Sequence, residues 1–335
     1  MTEERPLPSL VELPAIRVAA EVLRGITLRT PLVPFGRPER RQLLKAESLQ
    51  PIGAFKLRGA YNAAAALAPE ARARGLITYS SGNHAQGVAR AARLFGVPAV
   101  IVMPSDAPAL KRARVEADGA QIVIVGTASD ERRRVAEELA EARGLAIIPP
   151  YDDPRIVAGQ GTVGLEIAED LPDVAAVLVP IGGGGLASGV AAAITALAPG
   201  ARLVGVEPEL AADARDSLAE DRIVRWPAEL VSRTIADGTR TQSLGLLNFA
   251  HLRAQLDVVV TVSEEEIAAA VRLAAEEARL VVEPSGALAI AAMRFHAAEA
   301  GLAGLDGPIV GVVSGGNVDP DRYLAYLEAP VPPEA

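Results

Sequence analysis

Residues 176–189 read AVLVPIGGGGLASG, an apolar β-rich run that passes through four glycines into an Ala-rich stretch. Glycine lets the backbone turn tightly and brings its N–H groups within reach of an anion, and a helix N-terminus adds a favourable dipole. The pattern predicts a strand–turn–helix unit in which Gly182, Gly183, Gly184 and Gly185 bind a phosphate. The alternative is a tight turn without a ligand.

The same alternation of apolar runs with Ala-rich helical runs extends along most of the chain, which is typical of α/β proteins with a mostly parallel sheet. Strands are predicted at residues 76–80, 99–103, 121–125, 176–181, 202–206, 258–262 and 309–313. Helices are predicted at residues 85–94, 130–142, 163–170, 186–197, 264–277 and 285–300. The alternation near residues 76–150 is compatible with a smaller unit, although periodicity alone does not fix its boundary.

Composition limits the classes of protein to which the chain can belong. It has 335 residues, 50% of them hydrophobic, which suffices for a large core and suggests about two domains. A net charge of −9 without a basic stripe argues against nucleic-acid or anionic-membrane binding. Because cysteine is absent, disulfides, Cys-ligated zinc, iron–sulfur clusters and a thiolate nucleophile are excluded.

Two further features bear on location. Residues 174–201 carry no charge, but Pro180 and the glycines interrupt them, so a buried strand–turn–helix is favoured over a membrane span. The N-terminus lacks the basic-then-apolar pattern of a secretory signal. A cytoplasmic protein is therefore expected.

The glycine motif leaves a second class of enzyme open. Gly182-x-Gly184-x-x-Ala187 also fits the dinucleotide fingerprint G-x-G-x-x-G/A. Glu207 ends the next predicted strand, close to the position where an acidic residue binds the ribose in such proteins. By this motif alone, an NAD-dependent Rossmann dehydrogenase is a competing interpretation.

Three other short motifs carry groups suited to chemistry. Residues 79–87, YSSGNHAQG, lead a strand into a helix and form an anion nest suited to a carboxylate, with an ordinary N-cap as the alternative. Lys56, in GAFKLRGA, is one of three lysines and can form a Schiff base with an aldehyde, unless it is simply a solvated helix lysine. Ser314 closes a strand and can hydrogen-bond a ring nitrogen, unless SGGN is a plain turn.

Taken together and in this order, GAFKLRGA, SSGNHAQG, GGGGL and SGGN resemble the fold-type II pyridoxal-phosphate enzymes. The resemblance is greatest to the serine/threonine dehydratases (threonine ammonia-lyases) and serine racemases, and it extends from about residue 30 to residue 317. It implies an α/β fold like that of the tryptophan synthase β subunit, with two doubly wound open-sheet domains. Residues 1–75 and 152–335 would form the large domain, residues 76–151 the smaller inserted one, and a homodimer is implied.

The resemblance also assigns roles to individual residues. It implies that Lys56 binds pyridoxal 5'-phosphate as a Schiff base, that Phe55 lies against the ring and that Asn83 hydrogen-bonds its phenolic oxygen. The phosphate would lie on the loop of Gly182, Gly183, Gly184 and Gly185, and Ser314 would face the pyridine nitrogen, which implies a neutral ring nitrogen. The substrate carboxylate would be bound by Ser80, Ser81, Gly82, Asn83 and His84.

The implied reaction is β-elimination from L-threonine or L-serine to 2-oxobutanoate or pyruvate plus ammonia. In it, the freed amine of Lys56 abstracts the Cα proton. If Ser81 reprotonates Cα from the opposite face, the same site racemises serine, and a threo-3-hydroxyaspartate dehydratase is a further alternative. A tenfold change in partition between these outcomes corresponds to only about 1.4 kcal/mol.

Residues 207–213, EPELAAD, resemble the divalent-cation site of the racemase and related dehydratases. The resemblance implies that Glu207, the Ala211 carbonyl and Asp213 bind Mg²⁺, or alternatively Ca²⁺ or Mn²⁺. Oxygen ligands suit such hard cations. A solvated acidic loop is the alternative.

Overall fold

The computed structural model describes residues 6–36, 39, 41–80, 82–105, 107, 109–126 and 129–333. Within these residues, the strands form two separate sheets flanked by helices. The mostly parallel α/β class is confirmed.

The larger sheet has six strands in the order β1-β2-β10-β7-β8-β9. Its members are β1 (Leu32–Phe35), β2 (Gln42–Ala46), β7 (Ala176–Pro180), β8 (Arg202–Pro208), β9 (Val258–Val262) and β10 (Ile309–Val313). Only the edge pair β1–β2 is antiparallel, and the other neighbours run parallel. Helices cover both faces, which explains why β7 and β10 read as unbroken apolar runs.

The smaller sheet has four parallel strands in the order β5-β4-β3-β6. Its members are β3 (Leu76–Tyr79), β4 (Ala99–Pro104), β5 (Gln121–Val125) and β6 (Ala146–Ile147). The proposed domain boundaries at residues 75/76 and 151/152 stay a prediction.

Fourteen helices connect and cover the strands in the described part of the chain. They are α1 (Leu13–Val22), α2 (Lys56–Ala65), α3 (Pro69–Ala73), α4 (Asn83–Phe95), α5 (Ala109–Ala117), α6 (Ser129–Arg143), α7 (Pro154–Asp170), α8 (Gly185–Leu197), α9 (Asp213–Ala219), α10 (Ala228–Val231), α11 (Leu246–Gln255), α12 (Glu264–Ala278), α13 (Pro284–Phe295) and α14 (Pro320–Leu327).

Capping residues explain where several of these helices begin. Ser263 and Glu266 form a reciprocal capping box on α12, and Asp153 caps α7 ahead of Pro154.

Close helix packing fixes the position of α2, the helix that begins at Lys56. A Cβ added at Gly159 of α7 would lie 2.7 Å from the carbonyl oxygen of Arg58, so only glycine permits this approach. On the other side, Ala60, a residue of α2, packs in one apolar cluster with Leu76 of the smaller sheet. The start of α2 is therefore held by elements associated with both sheets.

The predicted strands and helices are all present, most of them to within a few residues, but three strands and eight of the fourteen helices were not predicted. The largest difference in bounds is at α7, which begins at Pro154, nine residues before its predicted start. β1, β2 and β6 were not predicted, and α13 ends at Phe295, five residues before its predicted end. The uncharged residues 174–201 form β7 and α8 as predicted. Among the described residues, no helix combines the length and the apolar character needed to cross a bilayer.

Candidate active site

A cavity of about 290 Å³ lies where β3, β7 and β10 end, and it brings the sequence-predicted groups together. All predicted cofactor and substrate residues that the structure describes line it. They are Phe55, Lys56, Ser80, Gly82, Asn83, His84, Gly182, Gly183, Gly184, Gly185 and Ser314. Ser81 lies outside the described residues, so its role stays a prediction.

Lys56 is the half-buried first residue of α2, and it lines the cavity. Burial lowers the pKa of Lys56 to about 8, because the charged form loses its hydration. Its Nζ donates to the carbonyl oxygen of Pro150 at 2.9 Å and lies 5.1 Å from the centre of the Phe55 ring. An amine held in this way is partly neutral near physiological pH and is therefore a competent nucleophile.

The glycine loop between β7 and α8 forms a cradle of backbone amides. Gly184 is the N-cap of α8 with φ +93°, a conformation that favours glycine. A Cβ at Gly183 would overlap the Tyr151 ring. The N–H groups of residues 182–185 donate to no acceptor among the described residues, which leaves them available for an anion.

The loop before α4 presents a second set of polar groups. Gly82 is the N-cap of α4, and its N–H donates to Ser80 Oγ at 3.3 Å. Asn83 Nδ2 donates to Glu283 Oε1 at 2.5 Å, and Asn83 Oδ1 accepts from Asn317 Nδ2 at 2.8 Å. Two buried partners thus fix the Asn83 amide at the edge of the cavity.

His84, the second residue of α4, is buried and stays neutral. Burial lowers its pKa to about 3, with a further contribution from Lys56. Its Nε2 lies 3.0 Å from the Ile148 carbonyl oxygen. A ring that is this hard to protonate is unsuited to acid–base work near neutral pH.

Ser314 closes β10 and connects to the start of α2. Its hydroxyl donates to the Ser285 carbonyl oxygen at 3.3 Å, and its own carbonyl accepts from the Phe55 N–H at 3.1 Å. A hydroxyl has one proton, so donation to a ring nitrogen would replace the contact with Ser285.

Several other residues that line the cavity were not assigned site roles from the sequence, among them Tyr151, Lys111, Asp237 and Glu283. Asp237 and Glu283 lie in the strings TIADG and EPSG, which look like motifs of the resembled family, and Lys111 is one of three lysines. Burial raises the pKa of Glu283 to about 7, although Lys111 opposes the shift. Its Oε2 is buried without a hydrogen-bond partner among the described residues.

The acidic segment after β8 does not line this cavity. Glu207 is fully buried, and its two oxygens accept from the N–H groups of Ala214 at 3.0 Å and Arg215 at 2.8 Å. Both carboxylate oxygens of Asp213 are buried without a hydrogen-bond partner among the described residues. Burial raises the pKa of both carboxyls, that of Asp213 to about 8. No group of three or more His, Asp or Glu side chains suited to a metal occurs in the described ranges.

Comparison with known proteins identifies the family. Residues 23–315 match the family described as "Pyridoxal-phosphate dependent enzyme". The L-threo-3-hydroxyaspartate ammonia-lyase of Saccharomyces cerevisiae is 44% identical over 284 residues, which cover 84% of this chain and 85% of that protein. The L-threonine ammonia-lyase of Thermotoga maritima is 44% identical over 276 residues, which cover 82% of this chain and 67% of that protein.

Solved structures agree with this result. A threonine deaminase from T.th. has a TM-score of 0.84 and 45% identity, covering 92% of this chain and 99% of that one. Maize serine racemase has a TM-score of 0.86 and 35% identity, with 95% and 97% covered. The fold and the relatives thus define an α/β enzyme of the fold-type II group. The chain belongs to the pyridoxal-phosphate dependent enzymes, in the ammonia-lyase and racemase branch of that family.

The family assignment also decides between the two interpretations of the glycine motif. It favours a pyridoxal-phosphate enzyme over an NAD-dependent dehydrogenase. The position of Glu207 also argues against a ribose-binding role. Glu207 does not line the cavity, and both of its carboxylate oxygens accept hydrogen bonds from backbone N–H groups. The expectation of a fold-type II enzyme is confirmed.

Proposed function

We propose that this protein is an ammonia-lyase that converts L-threonine and L-serine to 2-oxobutanoate and pyruvate with release of ammonia. One observation carries the proposal: the Lys56 amine, with its lowered pKa, shares one cavity with the open amide cradle of residues 182–185 and with Ser80, Gly82, Asn83 and His84. An amine, a phosphate site and a carboxylate site are the three fixed points that this reaction needs. Relatives named as threonine ammonia-lyases support the substrate class.

The residues present fit pyridoxal phosphate. The N–H groups of residues 182–185 would hold its phosphate, Lys56 would hold its aldehyde carbon, and Phe55 would cover its ring. Asn83 would hydrogen-bond its phenolic oxygen, and Ser314 would hydrogen-bond its ring nitrogen. When bound, the cofactor withdraws electrons from the substrate Cα and so acidifies the Cα proton.

Substrate orientation and proton transfer would be carried out by side chains and backbone groups of the protein. The α4 N-terminus at Gly82 and Asn83 would orient the substrate carboxylate, because it offers N–H groups and a favourable dipole. The Lys56 amine would then accept the Cα proton, and the low pKa of this amine keeps it free to do so. His84 stays neutral and adds no competing base at this position.

A second activity at the same site is either serine racemisation or dehydration of threo-3-hydroxyaspartate. Ser81 is proposed as the opposite-face group that racemisation requires. An acidic substrate is favoured by four arginines that line the cavity in the described part of the chain: Arg132, Arg133, Arg225 and Arg240. The yeast relative named for hydroxyaspartate supports the same possibility.

We also propose a divalent cation, with Mg²⁺ as the first candidate, at Glu207, the Ala211 carbonyl and Asp213. The raised pKa values of Glu207 and Asp213 mean that it is unfavourable for both buried carboxyls to be ionised at once. A bound cation would stabilise the ionised forms and offset the repulsion between the two carboxylates. The unpartnered oxygens of Asp213 fit such a ligand. The homodimer implied by the sequence resemblance stays a prediction.

The test begins with the visible absorption spectrum of the purified protein before and after L-threonine, with 2-oxobutanoate and ammonia measured in the same sample. We expect a yellow band that changes as both products accumulate. Borohydride reduction followed by peptide mass spectrometry should place the cofactor on Lys56, with Lys45 and Lys111 as internal controls. A protein that cannot be loaded with pyridoxal phosphate, or label on another lysine, contradicts the proposal. Parallel assays with L-serine and L-threo-3-hydroxyaspartate determine the preferred substrate.

A further inference from the structure

Lys111 is the lysine that the proposed reaction leaves without a role. Lys45 is buried, forms an ion pair with Glu166 and donates to the Thr30 carbonyl oxygen, and Lys56 is the proposed nucleophile. Lys111 lies on α5, is 5% exposed, and extends its side chain into the same cavity as Lys56. A buried ammonium in a substrate cavity requires anionic partners.

The partners of Lys111 keep it charged. Its Nζ forms an ion pair with Asp237, which begins a short 3-10 turn after α10 and also lines the cavity. Burial lowers the pKa of Lys111, but the carboxylates of Glu283 and Asp237, with a smaller contribution from Asp319, outweigh burial and raise it. Lys111 is therefore a fixed positive charge, in contrast to Lys56.

The ammonium lies beside the loop proposed to bind the substrate carboxylate. A Cβ placed on Gly82 would be 3.9 Å from Lys111 Nζ, the nearest heavy atom among the described residues other than the chain neighbours of Gly82. The ammonium therefore lies beside the α4 N-terminus, where a bound anion could accept a charge-assisted hydrogen bond from it. Neither the α4 N-terminus nor Asn83 supplies a full positive charge at this position.

The ion pair with Asp237 is not the only contact that α5 makes with distant parts of the chain. Arg114, one turn further along α5, contacts Asn317, which donates to Asn83. Removal of the Lys111 charge therefore leaves α5 attached through Arg114. A binding role for Lys111 can thus be separated from a purely structural one.

We infer that Lys111 Nζ is a binding group for the α-carboxylate of the substrate, acting with the Gly82–Asn83 amides, and that Asp237 is its partner in the free enzyme. The inference rests on the proposed function, since it concerns the same amino-acid substrate. It makes Lys111 a residue that selects for amino acids with a free α-carboxylate.

The test compares L-threonine with L-threoninamide, which has a neutral amide in place of the carboxylate. Dissociation constants come from the change in cofactor absorbance on titration of the loaded enzyme. In Lys111→Met, we expect the preference for the acid over the amide to fall by about ten- to a hundredfold, the range for loss of a charge-assisted hydrogen bond. Lys111→Arg should restore most of that preference.

Asp237→Asn is the matched control, because it breaks the same ion pair and leaves the ammonium in place. It should retain the wild-type preference for the acid. If Lys111→Met weakens both ligands equally, or if Asp237→Asn loses the preference to the same extent, Lys111 is only a tie between the cavity walls and the inference is wrong. Wild-type enzyme that loads the cofactor and responds to L-threonine upholds the proposed function even then. Wild-type protein that gives no response to any hydroxy-amino acid overturns both.

Discussion

Arg58, two residues beyond Lys56, forms a two-pronged ion pair with Glu47, with Nε to Oε2 and Nη2 to Oε1 both at 2.8 Å. Both side chains are almost fully buried. Arg58 also contacts Glu166 at 2.6 Å, and its Nη1 donates to Thr162 Oγ1 at 3.0 Å. Burial raises the pKa of Glu47, but Arg58, with further contributions from Thr30 and Lys45, outweighs burial and holds the pKa below its ordinary value. Helix α2, which begins at Lys56, is thus fixed by largely buried charges.

Arg58→Met should lower the free energy of unfolding by about 3–5 kcal/mol, because it leaves the Glu47 carboxylate buried without its partner. Urea unfolding of the cofactor-free protein measures the change. Arg58→Lys keeps the charge but not the fork geometry, so it should lie between the wild type and the methionine variant.

Arg134→Met is the matched control, since it breaks the exposed pair with Glu138 on α6. Such surface pairs contribute roughly 0.2–1 kcal/mol. Equal losses in the Arg58 and Arg134 variants would show that the buried pair adds no special stability.

The pKa of Lys56 predicts how cofactor attachment depends on pH. Only the neutral amine attacks an aldehyde, and the neutral fraction rises as pH increases through the pKa of about 8. The rate at which the cofactor-free protein takes up pyridoxal phosphate should therefore increase with pH and level off above pH 8. Stopped-flow absorbance at the cofactor band measures this rate.

An unperturbed lysine, with a pKa near 10.4, would still show a rising rate above pH 9. A profile of that kind would mean that burial does not lower the pKa of Lys56. Free lysine with pyridoxal phosphate under the same conditions gives the reference curve.

The glycine loop predicts a size limit. Gly183→Ala adds a Cβ that overlaps the Tyr151 ring, so the loop must move and the amide cradle loses its shape. We expect the dissociation constant of pyridoxal phosphate to rise about tenfold or more, as for loss of a charge-assisted hydrogen bond. Equilibrium dialysis measures it.

Gly200→Ala is the control, because the added Cβ there meets no atom within 4 Å. It should bind the cofactor like the wild type. Combining Gly183→Ala with Tyr151→Ala removes the overlap and should recover part of the affinity. If the double variant recovers no affinity, the methyl group at position 183 obstructs the phosphate directly rather than through the Tyr151 ring.

The sequence predicted the central parallel strands because these are buried on both faces and read as unbroken apolar runs, as β7 does. It failed on β1 and β2, an antiparallel pair of four and five residues at one edge of the larger sheet. β6 has only two residues, and it exists through its pairing with β3. Short strands depend on tertiary pairing that no local pattern records.

The candidate site divides in the same way. The residues that occur in local motifs, such as Lys56 and the glycine loop, could be predicted to share a site because the motif itself indicates the chemistry, and they line one cavity. Lys111 and Asp237 are 126 residues apart, so their ion pair is a product of the fold. The partners of Arg58 are likewise distant, with Glu166 separated from it by 108 positions.

The proposed cation site predicts a metal-dependent stability. Chelator treatment should lower the melting temperature, and Mg²⁺ should restore it, since a ligand that binds only the folded protein stabilises it by mass action. Thermal unfolding of cofactor-loaded protein measures both changes.

Asp213→Asn should abolish the response to Mg²⁺, because it removes the charge of a carboxylate whose oxygens otherwise have no hydrogen-bond partner among the described residues. Glu209→Gln, a neighbouring substitution outside the proposed ligand set, should respond like the wild type. A melting temperature that is unchanged by complete metal removal and by addition of Mg²⁺, Ca²⁺ or Mn²⁺ would mean that Glu207 and Asp213 are simply buried acids, with protons taking the place of a cation.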